Sequence, residues 1–236
     1  MSTKNLWFLM LAVTYLLSNV ASEAFGLSRV RRNDKQLNVL HFSQGRMNAK
    51  DPTSLRHERP AFCRDLDCPE FTVVKNETGY ELREYMPTHW VSSNVAGLSY
   101  DTAVYQAFMR LFGYISGENE KKEKITMTAP VITRVIPGQG PACENNFTES
   151  FFISPQVDPP SPSNPKVFLS SLPKMLVYVR SFPGFATESD WLAQARELAA
   201  ALGPNATYIK DYFYTAGYDS PFQIFNRHNE IWFIAQ

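Results

Sequence analysis

The sequence has no excess of charge of either sign, since 23 lysine and arginine residues balance 23 aspartate and glutamate residues. Proteins that bind nucleic acid or an anionic membrane surface through their overall field usually carry an excess of positive charge. Hydrophobic residues nevertheless make up 44% of the 236 residues and aromatic residues 14%. The composition therefore predicts a folded protein with a substantial core that is not a nucleic-acid-binding protein.

Motifs that carry catalysis are also missing. The chain contains no Gly-X-Ser-X-Gly nucleophile elbow, no glycine-rich phosphate loop and no histidine pair at metal-binding spacing. Its acidic residues are scattered and show no obvious pair for acid–base chemistry. We therefore predict a binding protein rather than an enzyme, unless folding brings distant residues together.

No apolar run reaches the roughly 20 residues that a membrane-spanning helix needs. The N-terminal run, residues 6–17, follows Lys4 and precedes small residues, which is typical of a secretory signal peptide. We predict that residues 1–22 are removed, with cleavage at residue 24 as an alternative; a membrane anchor is the competing interpretation. The mature protein is then secreted and has no integral membrane association.

Residues 23–67 show no sustained periodicity and are predicted to form a loosely ordered leader. The cluster Arg29-Val30-Arg31-Arg32 is either a proprotein-convertase site, cut after Arg32, or a solvated basic tail. Three Asn-X-Ser/Thr triplets beside turn residues predict N-glycosylation of a secreted protein. The acceptor residues are Asn76, Asn146 and Asn205.

Cysteines are few: Cys63, Cys68 and Cys143. In an oxidising compartment two of them are expected to pair and leave one thiol. A Cys63–Cys68 bridge closes a very short loop, whereas a Cys68–Cys143 bridge closes a long loop and constrains the unfolded chain more strongly. We therefore predict a Cys68–Cys143 disulfide.

The order of predicted elements suggests an internal duplication. Helical periodicity marks 101–116 and 188–202, and strands are predicted at 69–76, 80–86, 88–96, 125–136, 147–154, 175–182, 208–214, 222–225 and 230–235. Lys124–Val131 resembles Asp211–Tyr218, because both alternate apolar and polar residues, contain Thr-Ala before Pro or Gly, and follow a helix. This predicts a duplicated β-α-β-β unit with halves at 68–153 and 167–236, joined by a proline-rich linker at 154–166.

Several blocks of sequence within residues 68–236 resemble the SOUL heme-binding proteins. The blocks are 80–85, 90–91, 119–122, 125–131, 177–185, 214–221 and 226–232. The resemblance implies an α+β fold: a distorted antiparallel β-barrel with two helices, like the effector-binding domains of regulatory factors. It also implies non-covalent binding of heme or a related porphyrin on an apolar surface near the first helix.

The first predicted helix carries an apolar stripe formed by Tyr105, Phe108, Met109 and Phe112. A stripe at this spacing is either part of the core or one wall of a ligand site. The resemblance places pocket-lining residues at Phe108 and Phe112. His89 is the candidate contact to the ligand, although a lone histidine is more often a structural or surface residue.

Three positions depart from the pattern of the family. Glu84 stands where some members carry a histidine, and Tyr105 and Gln223 stand where others carry basic residues that meet the heme propionates. These differences keep two alternatives open: a protein- or membrane-interaction module that has lost heme binding, and a carrier of another apolar ligand such as a lipid or bile pigment. In the first alternative, Trp191 and Leu198 on the second helix form a docking face.

Overall fold

A computed structural model describes residues 59–140 and 143–236. The predicted signal peptide and convertase site lie outside the described residues. Within the described ranges the chain forms nine strands and two α-helices, α1 (Tyr100–Ile115) and α2 (Glu188–Leu202). The strands are β1 (Phe71–Glu77), β2 (Tyr80–Tyr85), β3 (Thr88–Gly97), β4 (Val131–Ile136), β5 (Asn145–Ile153), β6 (Val167–Leu172), β7 (Met175–Phe182), β8 (Phe213–Gly217) and β9 (Asn229–Ile234). Neither of these helices is long and apolar enough to cross a membrane.

The strands pair in one antiparallel sheet in the order β1-β2-β7-β9-β8-β4-β5-β3-β6. The units β3-α1-β4-β5 and β7-α2-β8-β9 are arranged symmetrically and meet at the β4–β8 pair, where Thr133 lies opposite Thr215. Tyr85 on β2 and Trp90 on β3 belong to one buried cluster although their strands are far apart in the sheet order, so the sheet is curled around that cluster. The predicted α+β fold, a distorted barrel built from a duplicated β-α-β-β unit, is confirmed.

The sequence match that suggested the duplication does not align equivalent residues. Thr128–Pro130 lies before β4, whereas Thr215–Gly217 lies within β8. The strand predicted at 125–136 begins only at Val131, because Pro130 has no amide hydrogen to donate to a strand ladder. The repeated order of elements is correct, but the repeated motif was matched in the wrong register.

One further strand prediction is wrong, and one strand was missed. Residues 222–225 lie in the connection between β8 and β9, and β6 was not predicted at all. β6 lies at the edge of the sheet, and most of its side chains are exposed or half-buried, so the usual alternation is weak. The polar–apolar pattern of 222–225 arises instead from apolar side chains on a surface loop.

Both helices pack on the same face of the sheet. The Ser99 hydroxyl accepts a hydrogen bond from the Thr102 amide and caps α1, and Thr187 and Asp190 form a capping box at α2. Trp191 and Leu198 are buried in the cluster between α2 and the sheet. The expectation that these two residues form a docking face is therefore wrong.

The end of the predicted leader is packed rather than loosely ordered. Residues Ala61–Cys63 form a short 3-10 helix, Cys63 is buried, and Phe62 packs against the cluster enclosed by the curled sheet. The Ala129 amide donates to the Asp67 carbonyl at 2.9 Å, and the Ser154 hydroxyl donates to the Asp67 carboxylate at 2.8 Å. This segment, residues 59–67, is therefore part of the folded domain.

The predicted Cys68–Cys143 disulfide is wrong, because Cys68 pairs with Cys63. The 3-10 helix is followed by Arg64, whose φ of 53° reverses the chain. The two Cα atoms are thereby brought to 6.1 Å, within the range of a disulfide. Cys143 is exposed and free. The prediction was based on the length of the loop that each disulfide closes. In the structure, the turn at Arg64 determines which cysteines pair.

Non-reducing peptide mapping tests this pairing. Trypsin cleaves after Arg64, between the two paired cysteines, and after Lys75. We expect the peptides ending at these two residues to be recovered joined, and Cys143 to be alkylated without reduction. Recovery of the 65–75 peptide joined to the Cys143 peptide would contradict the structure.

Candidate ligand-binding site

The predicted apolar stripe lies on α1 and is only partly buried. Tyr105 and Met109 are 39% and 37% exposed, whereas Phe108 and Phe112 are half-buried and pack against the cluster beneath the helix. The Phe108 ring lies 6.1 Å from that of Phe112 and 5.3 Å from that of Phe151 on β5. The four side chains thus form one surface, which we call the α1 surface; its aromatic half is anchored in the core and its other half faces solvent.

His89 lies on the same side of the sheet as the α1 surface. It is exposed on β3, opposite Ile153 on β5, and residues two apart on a strand share a face. Val91 and Ile153 both belong to the cluster that packs against the C-terminal half of α1. His89 is therefore at the end of the sheet that carries Phe112, as its candidate role requires.

A small cavity lies beneath this end of α1, between the helix, β5 and the segment that precedes β4. Its volume is about 10 Å³, which is room for roughly one water molecule. Its wall includes Tyr114, Ile125, Met127 and Val157. Ligand pockets that enclose a drug-sized molecule have volumes of about 300–1,000 Å³. A molecule of porphyrin size therefore does not fit inside this cavity.

Arg110 on α1 and Arg227 in the connection between β8 and β9 direct their guanidinium groups towards acceptors of the protein. Arg110 Nη1 donates to Ser93 Oγ at 3.3 Å and to the Asn94 carbonyl at 3.1 Å. Arg227 Nη1 donates to the carbonyls of Ser220 and Gln223 at 2.6 and 2.8 Å. By contrast, the exposed Lys124 directly precedes Ile125, which packs against the same cluster as Phe112.

The three positions that depart from the family pattern lie on different elements of the fold. Glu84 lies on β2, opposite Leu176 on β7, and its carboxylate is 3.0 Å from the Lys174 amine. Gln223 lies in the connection between β8 and β9, whereas Tyr105 is on α1. Glu84 is therefore part of an exposed ion pair on a different part of the sheet from the α1 surface.

Sequence reasoning missed a buried carboxyl group beneath α1. Glu149 lies on β5 between Phe147 and Phe151, and it faces Ser93 and Thr133 on the neighbouring strands. Burial raises the pKa of Glu149 well above its ordinary value, and its Oε2 atom has no hydrogen-bond partner within the described ranges. The signal was present in the sequence, because alternation along β5 places residue 149 on the face of its two phenylalanine neighbours.

A second missed group is an ion-pair network on the opposite side of the sheet. Glu230 accepts hydrogen bonds from Arg83 Nη1 at 2.9 Å, Tyr218 Oη at 2.8 Å and Trp232 Nε1 at 2.7 Å. His228 Nε2 lies 2.7 Å from the same carboxylate. No local pattern signals this network, since Arg83 and Glu230 are 147 residues apart.

The three predicted glycosylation sites differ in accessibility. Asn76 and Asn205 are exposed, the former at the end of β1 and the latter in the connection after α2. Asn146 is half-buried on β5, and its side-chain oxygen accepts a hydrogen bond from Asn94 Nδ2 at 2.5 Å. A glycan is thus more easily accommodated at Asn76 and Asn205 than at Asn146.

Comparisons with known proteins agree with the sequence resemblance. The family model described as "SOUL heme-binding protein" matches residues 66–234. Heme-binding protein 2 of Mus musculus is 44% identical over 160 residues, which are 66% of this chain and 78% of that protein. Heme-binding protein 2 of Homo sapiens is 42% identical, with the same coverage of both chains.

A distant likeness among solved structures concerns the fold alone. The cryo-EM structure of an EcmrR–DNA complex has a TM-score of 0.53 and 10% sequence identity. The match covers 68% of this chain and 59% of that chain. That structure is similar to this chain in the arrangement of strands and helices, and the likeness gives no information on ligands.

Proposed function

Since this chain belongs to the SOUL heme-binding protein family, we propose that it binds heme or a related porphyrin non-covalently on the α1 surface. We propose further that it acts as a secreted carrier or scavenger and not as an enzyme. The observation that carries this proposal is the exposure of one side of an aromatic stripe whose other side is fixed in the core.

The chemistry of the α1 surface suits a flat apolar ligand. The rings of Phe108 and Phe112 are stacked, with 9° between their planes, so they present aligned edges or faces to a macrocycle. Burial of apolar area against these rings and Met109 supplies the binding free energy, at about 25 cal/mol for each Å² removed from water. When bound, heme would supply an iron centre, and the α1 surface would shield one side of that centre from water.

The polar groups of the ligand need partners at the edge of the surface. His89 on β3 is the proposed contact for the iron, because its imidazole is exposed on the side of the sheet that α1 covers. Lys124 is the proposed partner for a propionate carboxylate, since its ammonium group is exposed beside the same cluster. Arg110 and Arg227 are less suitable, because their donors already bond to the protein.

Secretion is supported by features of the sequence. The apolar N-terminal run and its small-residue cleavage sites are typical of a signal peptide. The disulfide and the two exposed Asn-X-Thr triplets at Asn76 and Asn205 fit an oxidising compartment. A binding protein in that compartment, without the motifs of an enzyme, is consistent with a carrier or scavenger.

A hemin titration of the full chain, followed by its Soret band, tests the proposed function. Met109→Asp places a charge on the exposed part of the α1 surface and is expected to weaken hemin binding at least about tenfold, which corresponds to about 1.4 kcal/mol. His89→Ala is expected to change the position of the Soret band if the imidazole contacts the iron.

The matched control is Leu192→Asp on α2, because Leu192 is 39% exposed and Met109 is 37% exposed. We expect this control to change the affinity less than about twofold, because a surface substitution away from the site has little effect. Equal loss of affinity in both variants, or no saturable Soret shift in the unchanged protein, would contradict the proposal.

A carrier of an iron-free tetrapyrrole, such as a bile pigment, is the second candidate. It is favoured by the surface character of the site, where the exposed His89 is the one proposed contact for an iron and an iron-free ligand needs none. Parallel titration with iron-free protoporphyrin separates the two candidates. Binding of both compounds with similar affinity, and without an effect of His89→Ala, would favour the iron-free ligand.

A further inference from the structure

The disulfide loop, residues 63–68, contains a residue in a backbone conformation that its side chain does not favour. Arg64, directly after Cys63, has a φ of 53° and a ψ of −128°. Glycine normally occupies this region, because a residue with a Cβ atom is crowded there by its own backbone. The surrounding structure must therefore hold Arg64 in place, and the bond between Cys63 and Cys68 is one of the constraints that do so.

The Arg64 side chain ties this loop to the connection between β8 and β9, residues 218–228. Arg64 Nε forms a 2.7 Å ion pair with the Asp219 carboxylate, and Arg64 Nη2 donates to the Asn226 carbonyl at 3.0 Å. The Asp219 side chain is 1% exposed and accepts a further hydrogen bond from the His228 backbone amide at 2.6 Å. One guanidinium group thus holds both the beginning and the end of the β8–β9 connection.

The residue before the loop adds an aromatic contact to the same connection. The Phe62 ring is parallel to the His228 imidazole, with 4.0 Å between the ring centres, and its centre lies 4.9 Å from that of the Tyr218 ring. The same imidazole is bonded through Nε2 to the buried Glu230 carboxylate at 2.7 Å. Phe62 and Arg64 therefore fix side chains or backbone groups at four positions of the connection.

The disulfide that constrains Arg64 is within reach of a thiol reagent. Cys63 is buried, whereas Cys68 is half-buried, so an external thiolate reaches the Cys68 sulfur first. A disulfide that is accessible and linked to a strained backbone is reduced more readily than a relaxed and buried one. A bridge across only five positions of the chain also stabilises the fold less than a long-range bridge does, so its loss is not expected to unfold the domain.

We propose that the Cys63–Cys68 disulfide is a redox modification site that controls the β8–β9 connection. Its reductant is a dithiol. One thiolate of the dithiol attacks the Cys68 sulfur, the bond between the two cysteines breaks, and Cys63 leaves as a thiolate that takes up a proton. The second thiol of the reductant then displaces Cys68, which is also protonated. Two electrons and two protons pass to the protein, and the dithiol becomes a disulfide.

Reduction releases the connection through Arg64. When the ring of residues 63–68 opens, Arg64 relaxes to a favoured conformation and its guanidinium leaves Asp219 and the Asn226 carbonyl. Residues 218–228 then lose the contacts that hold their two ends. The nine strands and the helices α1 and α2 contain none of the loop residues, so the sheet and both helices remain folded.

Hydrogen exchange of the full chain, with and without dithiothreitol, tests the proposal. We expect dithiothreitol to accelerate amide exchange in residues 218–228 at least about tenfold and in α1 and α2 less than about twofold. Unchanged exchange in 218–228 would overturn the proposal. Equal acceleration in both helices would also overturn it, because the disulfide would then stabilise the whole domain. The measurement is made without heme, so its outcome does not depend on the proposed function.

Two cysteine variants show whether the effect of the reductant arises from this disulfide. The double variant with Cys63→Ala and Cys68→Ala is expected to exchange rapidly in residues 218–228 without reductant and to show no response to dithiothreitol. Cys143→Ser removes the exposed free thiol and is expected to respond as the unchanged chain does. A response that disappears in Cys143→Ser, or that persists in the double variant, would contradict the proposal.

Arg64→Gln tests the route through the guanidinium while the disulfide stays intact. We expect this variant to exchange at least about fivefold faster in residues 218–228 than the unchanged oxidised chain. Arg180→Gln is the matched control, because Arg180 likewise donates from Nε to a side chain, that of Gln194 at 2.8 Å, and from Nη1 to a carbonyl, that of Gly79 at 2.9 Å. Equal exchange of residues 218–228 in the two variants would show that the loop does not act through Arg64 and would overturn the proposal.

Discussion

Replacing Arg83 with methionine is expected to lower the free energy of unfolding by about 3–5 kcal/mol. Arg83 Nη1 donates to Glu230 Oε1 at 2.9 Å, and the side chains of both residues are almost completely buried. Loss of the guanidinium leaves the carboxylate buried without its main countercharge, which is the costly way to break such a pair. Denaturant unfolding of the unchanged chain and the variant measures the difference.

The pH dependence of stability is a second test of the Arg83–Glu230 ion pair. Burial by itself raises the pKa of Glu230, but the charge of Arg83 and the hydrogen bonds from His228 and Trp232 outweigh it and lower the pKa to about 2. A carboxyl group with a lowered pKa stabilises the fold fully above its unfolded value, 4.5, and this contribution is lost as the pH falls towards 2. In Arg83→Met burial prevails and the pKa rises, so stability is expected to fall as the pH rises above about 4.5.

Lys174→Met is the matched control for the loss of a cation. Lys174 pairs with Glu84 at 3.0 Å, but the pair is exposed and is expected to contribute less than about 1 kcal/mol. The double variant with Arg83→Met and Glu230→Gln is expected to recover part of the stability, because no fully buried carboxylate is left without its cation. Glu81, which also pairs with Arg83 at 2.7 Å, is partly exposed and can be solvated. If Arg83→Met has no larger effect than Lys174→Met, the buried network does not stabilise the fold as argued.

The sequence predicts elements well where local periodicity and tertiary packing agree. The helix predicted at 101–116 is observed at Tyr100–Ile115, and the one at 188–202 is observed at Glu188–Leu202. Each has a polar cap followed by apolar residues at helical spacing, so local preference and burial coincide. The strand β6 was not predicted, because an edge strand buries few side chains and its sequence therefore shows little alternation of apolar and polar residues.

The candidate site is predictable only in part. Helical spacing identifies the stripe of Tyr105, Phe108, Met109 and Phe112, but only the packing of Phe108 on Phe151 shows which of its sides remains exposed. The Cys63–Cys68 bridge depends on the reversal at Arg64, which leaves no periodic signal. Such features arise from three-dimensional proximity or from single backbone conformations.

Replacing Glu149 with methionine is expected to raise the free energy of unfolding at neutral pH by about 1–3 kcal/mol. The carboxyl group is fully buried beneath α1, and its Oε2 lacks a hydrogen-bond partner in the described part of the chain. Methionine has a similar length, fits among Phe147 and Phe151, and leaves no orphaned oxygen. Denaturant unfolding at fixed pH measures the gain.

The gain is expected to increase with pH. Burial raises the pKa of Glu149 well above its ordinary value of 4.5. A carboxyl group with a raised pKa contributes its full stability below the unfolded value, and this contribution is lost as the pH rises towards the folded value. The unchanged chain therefore loses stability above about pH 4.5 through this group, and Glu149→Met does not. Comparison of unfolding at about pH 5 and about pH 8 is the direct test.

Glu144→Met is the matched control, because it makes the same substitution at an exposed position immediately before β5. A surface change of this kind is expected to alter stability by no more than about 0.5 kcal/mol at either pH. An equal loss of stability in Glu149→Met at both pH values would contradict the prediction. It would show that the carboxyl group stabilises the fold beneath α1 and does not titrate in this range. A gain at high pH alone would instead assign the whole effect to ionisation and none to the orphaned oxygen.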